Sequence, residues 1–311
     1  MRTTFYAACI FSALLTACGG NTGEEQTTED TTETSDTMQG SEEMSVTFEQ
    51  AWATDTVMQT PESVIYDEAR DAVYVANIGG VNAEGADGDG FISKMTTDGT
   101  ITELKWVTGL NDPKGMGIHD NMLYVTDIRE VAMIDIESGE VTETYPVEGA
   151  GFLNDITIDE AGTVYFSDSD TDKIHMLEGG QVSTFMSDSS LQRPNGLFAE
   201  DNQLLLASAS GGFFAPIEME TKEVKAPWMT DIPSADGIIK TTNGDYVVST
   251  WQGEVHYVNA ADQSSQKLLD TKAQEINSAD IGYVPDENLV LVPTFYDNRV
   301  VAYRLGQQDS M

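Results

Sequence analysis

Six polar residues recur along the chain at near-regular intervals: Glu62, Lys114, Asn154, Asn195, Asp236 and Asp280, which are 52, 40, 41, 41 and 44 positions apart. Each is the middle of a short triplet: Pro61-Glu62-Ser63, Pro113-Lys114-Gly115, Leu153-Asn154-Asp155, Pro194-Asn195-Gly196, Ala235-Asp236-Gly237 and Ala279-Asp280-Ile281. Positions that only filled space would hold apolar residues or glycine, so six polar side chains in register imply a shared task. Carboxylates buried together are costly unless a cation or protons compensate. Two carboxylates (Glu62, Asp236) and two amide oxygens (Asn154, Asn195) would form a hard, all-oxygen cage that suits calcium better than softer metals, with another divalent ion as the alternative.

The elements that must position this cage are strands. Alternating β-type runs follow each triplet, at Ala72 to Ala76, Met122 to Thr126, Thr163 to Ser167, Gln203 to Ala207, Asp245 to Ser249 and Asn288 to Val292. A third strand is expected after these, as at Val131 to Ile134 or Val255 to Val258, and often a fourth, as at Gln181 to Phe185. Four antiparallel strands per unit without an intervening helix predict an all-β fold, a six-bladed β-propeller spanning residues 45–311. The sixth unit lacks its fourth strand, whereas Ser45 to Trp52 is a spare strand at the other end. It is expected to complete the last blade, closing the ring and removing exposed sheet edges. In each blade the innermost strand lines the axis, so the six triplet residues should converge at one end of it.

The chain carries 15 Lys and Arg against 53 Asp and Glu, a formal charge of −38. Such a surface repels phosphate backbones and anionic membrane surfaces, so nucleic acid is excluded as a partner. Residues 1–17, with one cation and an apolar run from Phe5 to Leu15, have the layout of a secretion signal. Residues 18–44 are rich in Thr, Glu, Asp, Gly and Ser without apolar periodicity, and are expected to be an acidic, disordered tether. The chain's two cysteines, Cys9 and Cys18, both precede the propeller, which excludes disulfides and thiolate metal sites within it.

Two resemblances follow from these residues. Leu15-Thr16-Ala17-Cys18 resembles the lipobox of bacterial lipoproteins, which implies acylation of Cys18 and a lipid anchor in the membrane. Gly19 after the cysteine, where Asp would resemble an inner-membrane retention signal, implies the outer membrane and periplasm of a Gram-negative cell. The order Glu62, Asn154, Asn195, Asp236 resembles the metal ligands of the senescence marker protein/gluconolactonase family, related to the diisopropyl fluorophosphatases and paraoxonases. Pro194-Asn195-Gly196 and Ala235-Asp236-Gly237 are its most specific pieces. The resemblance implies a calcium-dependent lactonase or esterase acting on a small-molecule lactone or ester, with Asp236 as attacking group or general base. Where the gluconolactonase group carries an arginine two residues before the first Asn, this chain has Phe152, which implies a more apolar ester or lactone than a sugar-acid lactone.

Lys114 departs from the family pattern. It can bind an anionic substrate group, serve as a catalytic base, or neutralise Asp280 or Glu62 and leave no metal at all. Trp251, Phe152 and Asp280 are the expected substrate-binding residues, with Phe213, Phe295, Tyr296 and the loop 79–90 also expected at the channel mouth. Asp87-Gly88-Asp89-Gly90 lacks the further ligands of a calcium loop and reads as a turn. Asp127 and Asp168 are expected to accept backbone hydrogen bonds in turns. His119, His175 and His256 lie on strands without triad partners, so Ser-His-Asp chemistry is not supported and they are expected to pack between blades. A monomer is expected. The rival to the hydrolase is a non-enzymatic propeller resembling the NHL-repeat proteins, binding an envelope component on its open face.

Overall fold

The computed structural model describes residues 45–80 and 85–307. The segments expected to be a signal and a tether, Cys18 with them, and residues 81–84 of the 79–90 loop lie outside the described residues. Six antiparallel sheets follow one another along the chain, each starting at the axis and running outward in sequence order, save for the outermost strand of the sixth. Their innermost strands are Pro61–Asp67, Pro113–His119, Leu153–Ile158, Pro194–Glu200, Ala235–Lys240 and Gly282–Val284. Each lies against the next around the ring, and the sixth returns to the first. The six-bladed propeller expected from the repeat is thus what the chain forms.

Burial follows the layering. The second strands are buried along most of their length, and at every position in Ala72–Asn77 and Leu289–Pro293, because both faces pack against neighbouring blades. This accounts for their near-continuous apolar sequence. Hydrophobic clusters sit between blades: Tyr74 and Ile92 of the first pack with Leu123 and Ile134 of the second, and Val247 and Val255 of the fifth with Val290 and Val292 of the sixth. Outermost strands such as Glu140–Pro146 are exposed, and their acids discourage edge pairing.

The last blade takes its outermost strand from the other end of the chain. Val46–Ala53 pairs antiparallel with Val300–Gln307. Gln266 of the fifth blade secures this strand: its Oε1 accepts from Val46 N (3.0 Å) and its Nε2 donates to Val46 O (2.8 Å). The fourth blade departs from the repeat, because its outer edge is split into Glu223–Val224 and Met229–Thr230, both paired with Phe213–Glu218. Pro227 stands between the two pieces and has no N–H to offer a ladder.

Glycine after the triplet's polar residue lets neighbouring blades meet at the axis. A Cβ on Gly196 would lie 1.8 Å from Asp236 O, and one on Gly115 would lie 2.4 Å from Asp155 Cα. The first and third blades have Ser63 and Asp155 at this position, and these side chains bond to the adjacent blade. Ser63 Oγ donates to Asp280 Oδ2 (2.5 Å), and Asp155 Oδ2 accepts from Leu197 N (2.6 Å).

Candidate metal centre

Glu62, Lys114, Asn154, Asn195 and Asp236 each occupy the second position of an innermost strand, and Asp280 lies two residues before its own, bridged in parallel to Ser63. All six are at least nine-tenths buried. Three of their oxygens have no hydrogen-bond partner: Glu62 Oε2, Asn195 Oδ1 and Asp236 Oδ1. Buried polar atoms are nearly always paired, so three orphans from the first, fourth and fifth blades need an explanation. Asn154 donates from Nδ2 to Ser169 Oγ (3.4 Å), which leaves its amide oxygen as the group available to a cation.

The electrostatics agree with the orphaned atoms. Burial, and then the charges of Glu62 and Asp280, push the Asp236 carboxyl far above its ordinary range, only partly offset by Asn195. Glu62 is raised by burial and by Asp280, with Lys114 opposing. No three carboxylate, imidazole or thiol groups gather at ligating geometry among the described residues. A metal here would therefore need a mixed carboxylate–amide set. Glu62, Asn154, Asn195 and Asp236 are such a set, and a hard divalent cation would satisfy the atoms the protein leaves bare.

Asp280 was expected at the substrate mouth, and the structure places it deeper. With Asp155 it lines a cavity of about 340 Å³ that opens at the other end of the axis, walled by Met116, Ile156, Leu197, Ile238 and Ile281. Burial raises both carboxyls, but both are engaged by protein donors: Asp155 Oδ1 accepts from Ile156 N (2.7 Å), in addition to the bonds from Leu197 and Ser63 already described. Asp155 escaped the sequence reading. Its signal was the acid at a position that is glycine in three of the six triplets.

Lys114 is 3% exposed and forms no ion pair within 4 Å among the described residues. Its ammonium donates to Asp112 O (3.2 Å) and lies 4.6 Å from the Phe152 ring centroid. Arg193 approaches the same ring at 5.8 Å. Asp112, also missed in the sequence, is pushed up to about 6 by burial despite Lys114, and its Oδ2 has no partner. The loops carrying Asp112 and Phe152 are held by the two turn aspartates. Asp127 accepts from Asn111 N and Asp112 N, and Asp168 from Gly151 N and Phe152 N.

Trp251, Phe295 and Tyr296 form an edge-to-face cluster with centroids 4.8 to 6.0 Å apart. Phe295 and Trp251 pack with Ile78 and with Ala279, the residue before Asp280. Trp251 N is tied to Ser234 O (2.8 Å), two residues before Asp236. Phe213 differs from expectation: it packs in the core between the third and fourth blades with Ile174 and Leu191. The histidines stay on strands, but His175 does have an acidic neighbour, Asp168, at 3.5 Å. No serine completes a triad there; Thr184 Oγ1 meets its other ring nitrogen at 3.5 Å.

No family model and no curated protein matches the sequence. Solved structures do match by fold. A catalytically inactive histidine-to-alanine variant of virginiamycin B lyase from Staphylococcus aureus, with quinupristin, aligns at a TM-score of 0.59 and 14% identity, covering 84% of this chain and 100% of that one. A streptogramin B lyase gives 0.60 and 13% identity over 84% and 98%. A candidate gluconolactonase gives 0.62 and 15% identity over 85% and 93%. At such identities the likeness shows the propeller fold alone.

Proposed function

We propose that the protein is a calcium-dependent hydrolase of lactones or esters, working as a monomer in the cell envelope and tethered through an acylated Cys18. The observation that carries the catalytic part is the trio of buried, partnerless oxygens on Glu62, Asn195 and Asp236 at one end of the axis. Together with Asn154 these residues would hold the ion, which when bound polarises the substrate carbonyl. The remaining work falls to the chain's own side chains. Asp236 is the group placed to attack or to take the proton of an attacking water. Its basicity beside a cation is modest. Lys114 favours the carboxylate form of Glu62, and Phe152 and Trp251 help to exclude water around the carbonyl. In the net reaction the acyl–oxygen bond breaks, the oxygen of water joins the acyl carbon, and its protons pass to the acid and alcohol released.

The gluconolactonase likeness is compatible with this reading. The lyase likeness is less so, because the histidine chemistry implied by the inactive variant has no counterpart at the cage: His119 ends its innermost strand at the far side, and His175 and His256 lie on third strands. The test is hydrolysis of a panel of aryl and alkyl esters and γ- and δ-lactones after chelation and again after calcium is restored. Activity that disappears with chelation, returns with calcium and is absent in Asp236→Ala is expected. Activity indifferent to both treatments would overturn the proposal.

A further inference from the structure

The mouth above the cage has two chemically distinct sides. In a ring of six, the fifth and sixth blades, which carry Trp251, Phe295 and Tyr296, stand opposite the second and third, which carry Lys114 and Phe152. On the second-blade side, Lys114 is buried with one hydrogen bond for its three donors, and Arg193 lies against the same Phe152 ring. Buried ammonium groups are nearly always paired, and this one has no carboxylate within 4 Å among the described residues. Two of the chain's 15 cations thus lie beside one ring, Arg193 paired with the half-exposed Asp170 (3.1 Å) and Lys114 with no such partner among the described residues.

The other side is apolar. Phe295 holds a left-handed backbone (φ +50°), costly for an aromatic residue, and Tyr296 is 55% exposed with its ring edge-on to both Phe295 and Trp251. Backbone strain of this kind persists where the surrounding structure enforces it, commonly at ligand sites. An exposed tyrosine and a half-buried tryptophan offer rigid ring surface at low entropic cost.

We propose that the substrate is an amphiphilic ester or lactone that spans the axis, with an anionic group on Lys114, beside the Arg193–Asp170 pair, and an aromatic or bulky apolar group against Trp251, Phe295 and Tyr296. The scissile carbonyl then lies between them over the cage. This rests on the hydrolase reading, but the ligand chemistry can be tested apart from it.

Three esters with similar leaving groups separate the two sides: monobenzyl glutarate (ring and carboxylate), benzyl valerate (ring only) and monobutyl glutarate (carboxylate only). With calcium present, monobenzyl glutarate is expected to have the highest kcat/KM. Lys114→Gln should lower it roughly 10- to 100-fold, mainly through KM, as expected for loss of a charged hydrogen bond, and lower benzyl valerate clearly less, so that the preference between the two esters falls. Lys114→Arg should restore part of the loss. Tyr296→Ala, at an exposed position that tolerates truncation, should raise KM about 3- to 10-fold for the two benzyl esters and leave monobutyl glutarate unaffected. If the esters are cleaved without preference and Lys114→Gln leaves their ratios unchanged, this inference falls and the hydrolase reading stands. If none is cleaved, but the benzylamide analogue of monobenzyl glutarate quenches tryptophan fluorescence saturably in the wild type and not in Lys114→Gln, the hydrolase reading falls and the inference stands. Neither cleavage nor quenching would overturn both.

Discussion

The two ends of the propeller axis are built from the same six strands, yet they treat buried acid in opposite ways. At one end Glu62 and Asp236 sit among amides with oxygens that nothing in the protein satisfies. Toward the other, just beyond the cage, Asp155 and Asp280 are as deeply buried, but each accepts a short hydrogen bond from the neighbouring blade. Burial alone therefore does not mark a binding site. A carboxylate that already receives donors is part of the framework, whereas one left bare is kept for something the chain does not supply.

Substitutions at the two ends should separate these roles. The largest expected effect is at the open end, where Asp236→Ala should cut hydrolysis on the order of 10³-fold or more. The same change should leave the chelated protein as stable as the wild type or more so, because it removes a buried, uncompensated carboxyl. On the side of Asp155 and Asp280 the pattern reverses. Asp155→Ala strands the N–H of Leu197, and should lower stability by about 1–3 kcal/mol in denaturant titrations while preserving the response to calcium. Equal loss of stability at both ends would erase the distinction.

pH sharpens the comparison further. Glu62 is pushed up from 4.5 to about 8, chiefly by burial and then by Asp280, and Asp280 is pushed from 3.8 to about 7, chiefly by burial. The folded metal-free chain thus keeps protons that the unfolded chain releases, so its stability should fall as pH rises from about 4 to about 8. Calcium must displace the proton on Glu62, so its affinity should rise over the upper part of that window, with proton release measurable by calorimetry in buffers of different ionisation enthalpy. Calcium binding independent of pH between 6 and 8 would contradict this. The smallest effect belongs far from either end: Gln266→Ala removes both bonds to Val46 and should cost about 0.5–1.5 kcal/mol without changing calcium binding.

The sequence carried the fold because its repeat is made of signals that local structure obeys. The apolar runs of the second strands and the triplets near 41-residue spacing placed every blade, and the missing fourth strand of the sixth unit pointed to Val46–Ala53. Convergence at the axis also followed from the repeat. The sequence did not reveal which polar atoms would be satisfied: Asp155 and Asp280 look like Asp236 until the cross-blade donors Ser63 and Leu197 N are known. Nor did it separate Phe213, which packs in the core between the third and fourth blades, from Phe295, whose own left-handed backbone sets it against Trp251, Ile78 and Ala279. Both distinctions depend on contacts between segments some 40 or more residues apart, or on one backbone angle, and neither leaves a local pattern.

The central claim is that the bare oxygens hold a divalent cation, and the thermal unfolding midpoint after chelation, followed through a calcium titration with magnesium as control, tests it most directly. A ligand that binds only the folded chain raises the midpoint with concentration. The account requires a rise with calcium that clearly exceeds that with magnesium, retained in Asp155→Ala and lost in Asp236→Ala. A midpoint that calcium does not move, or one it moves equally in Asp236→Ala, would contradict the cage and leave a propeller whose axial charges are balanced by Lys114 and protons, suited to binding rather than to hydrolysis.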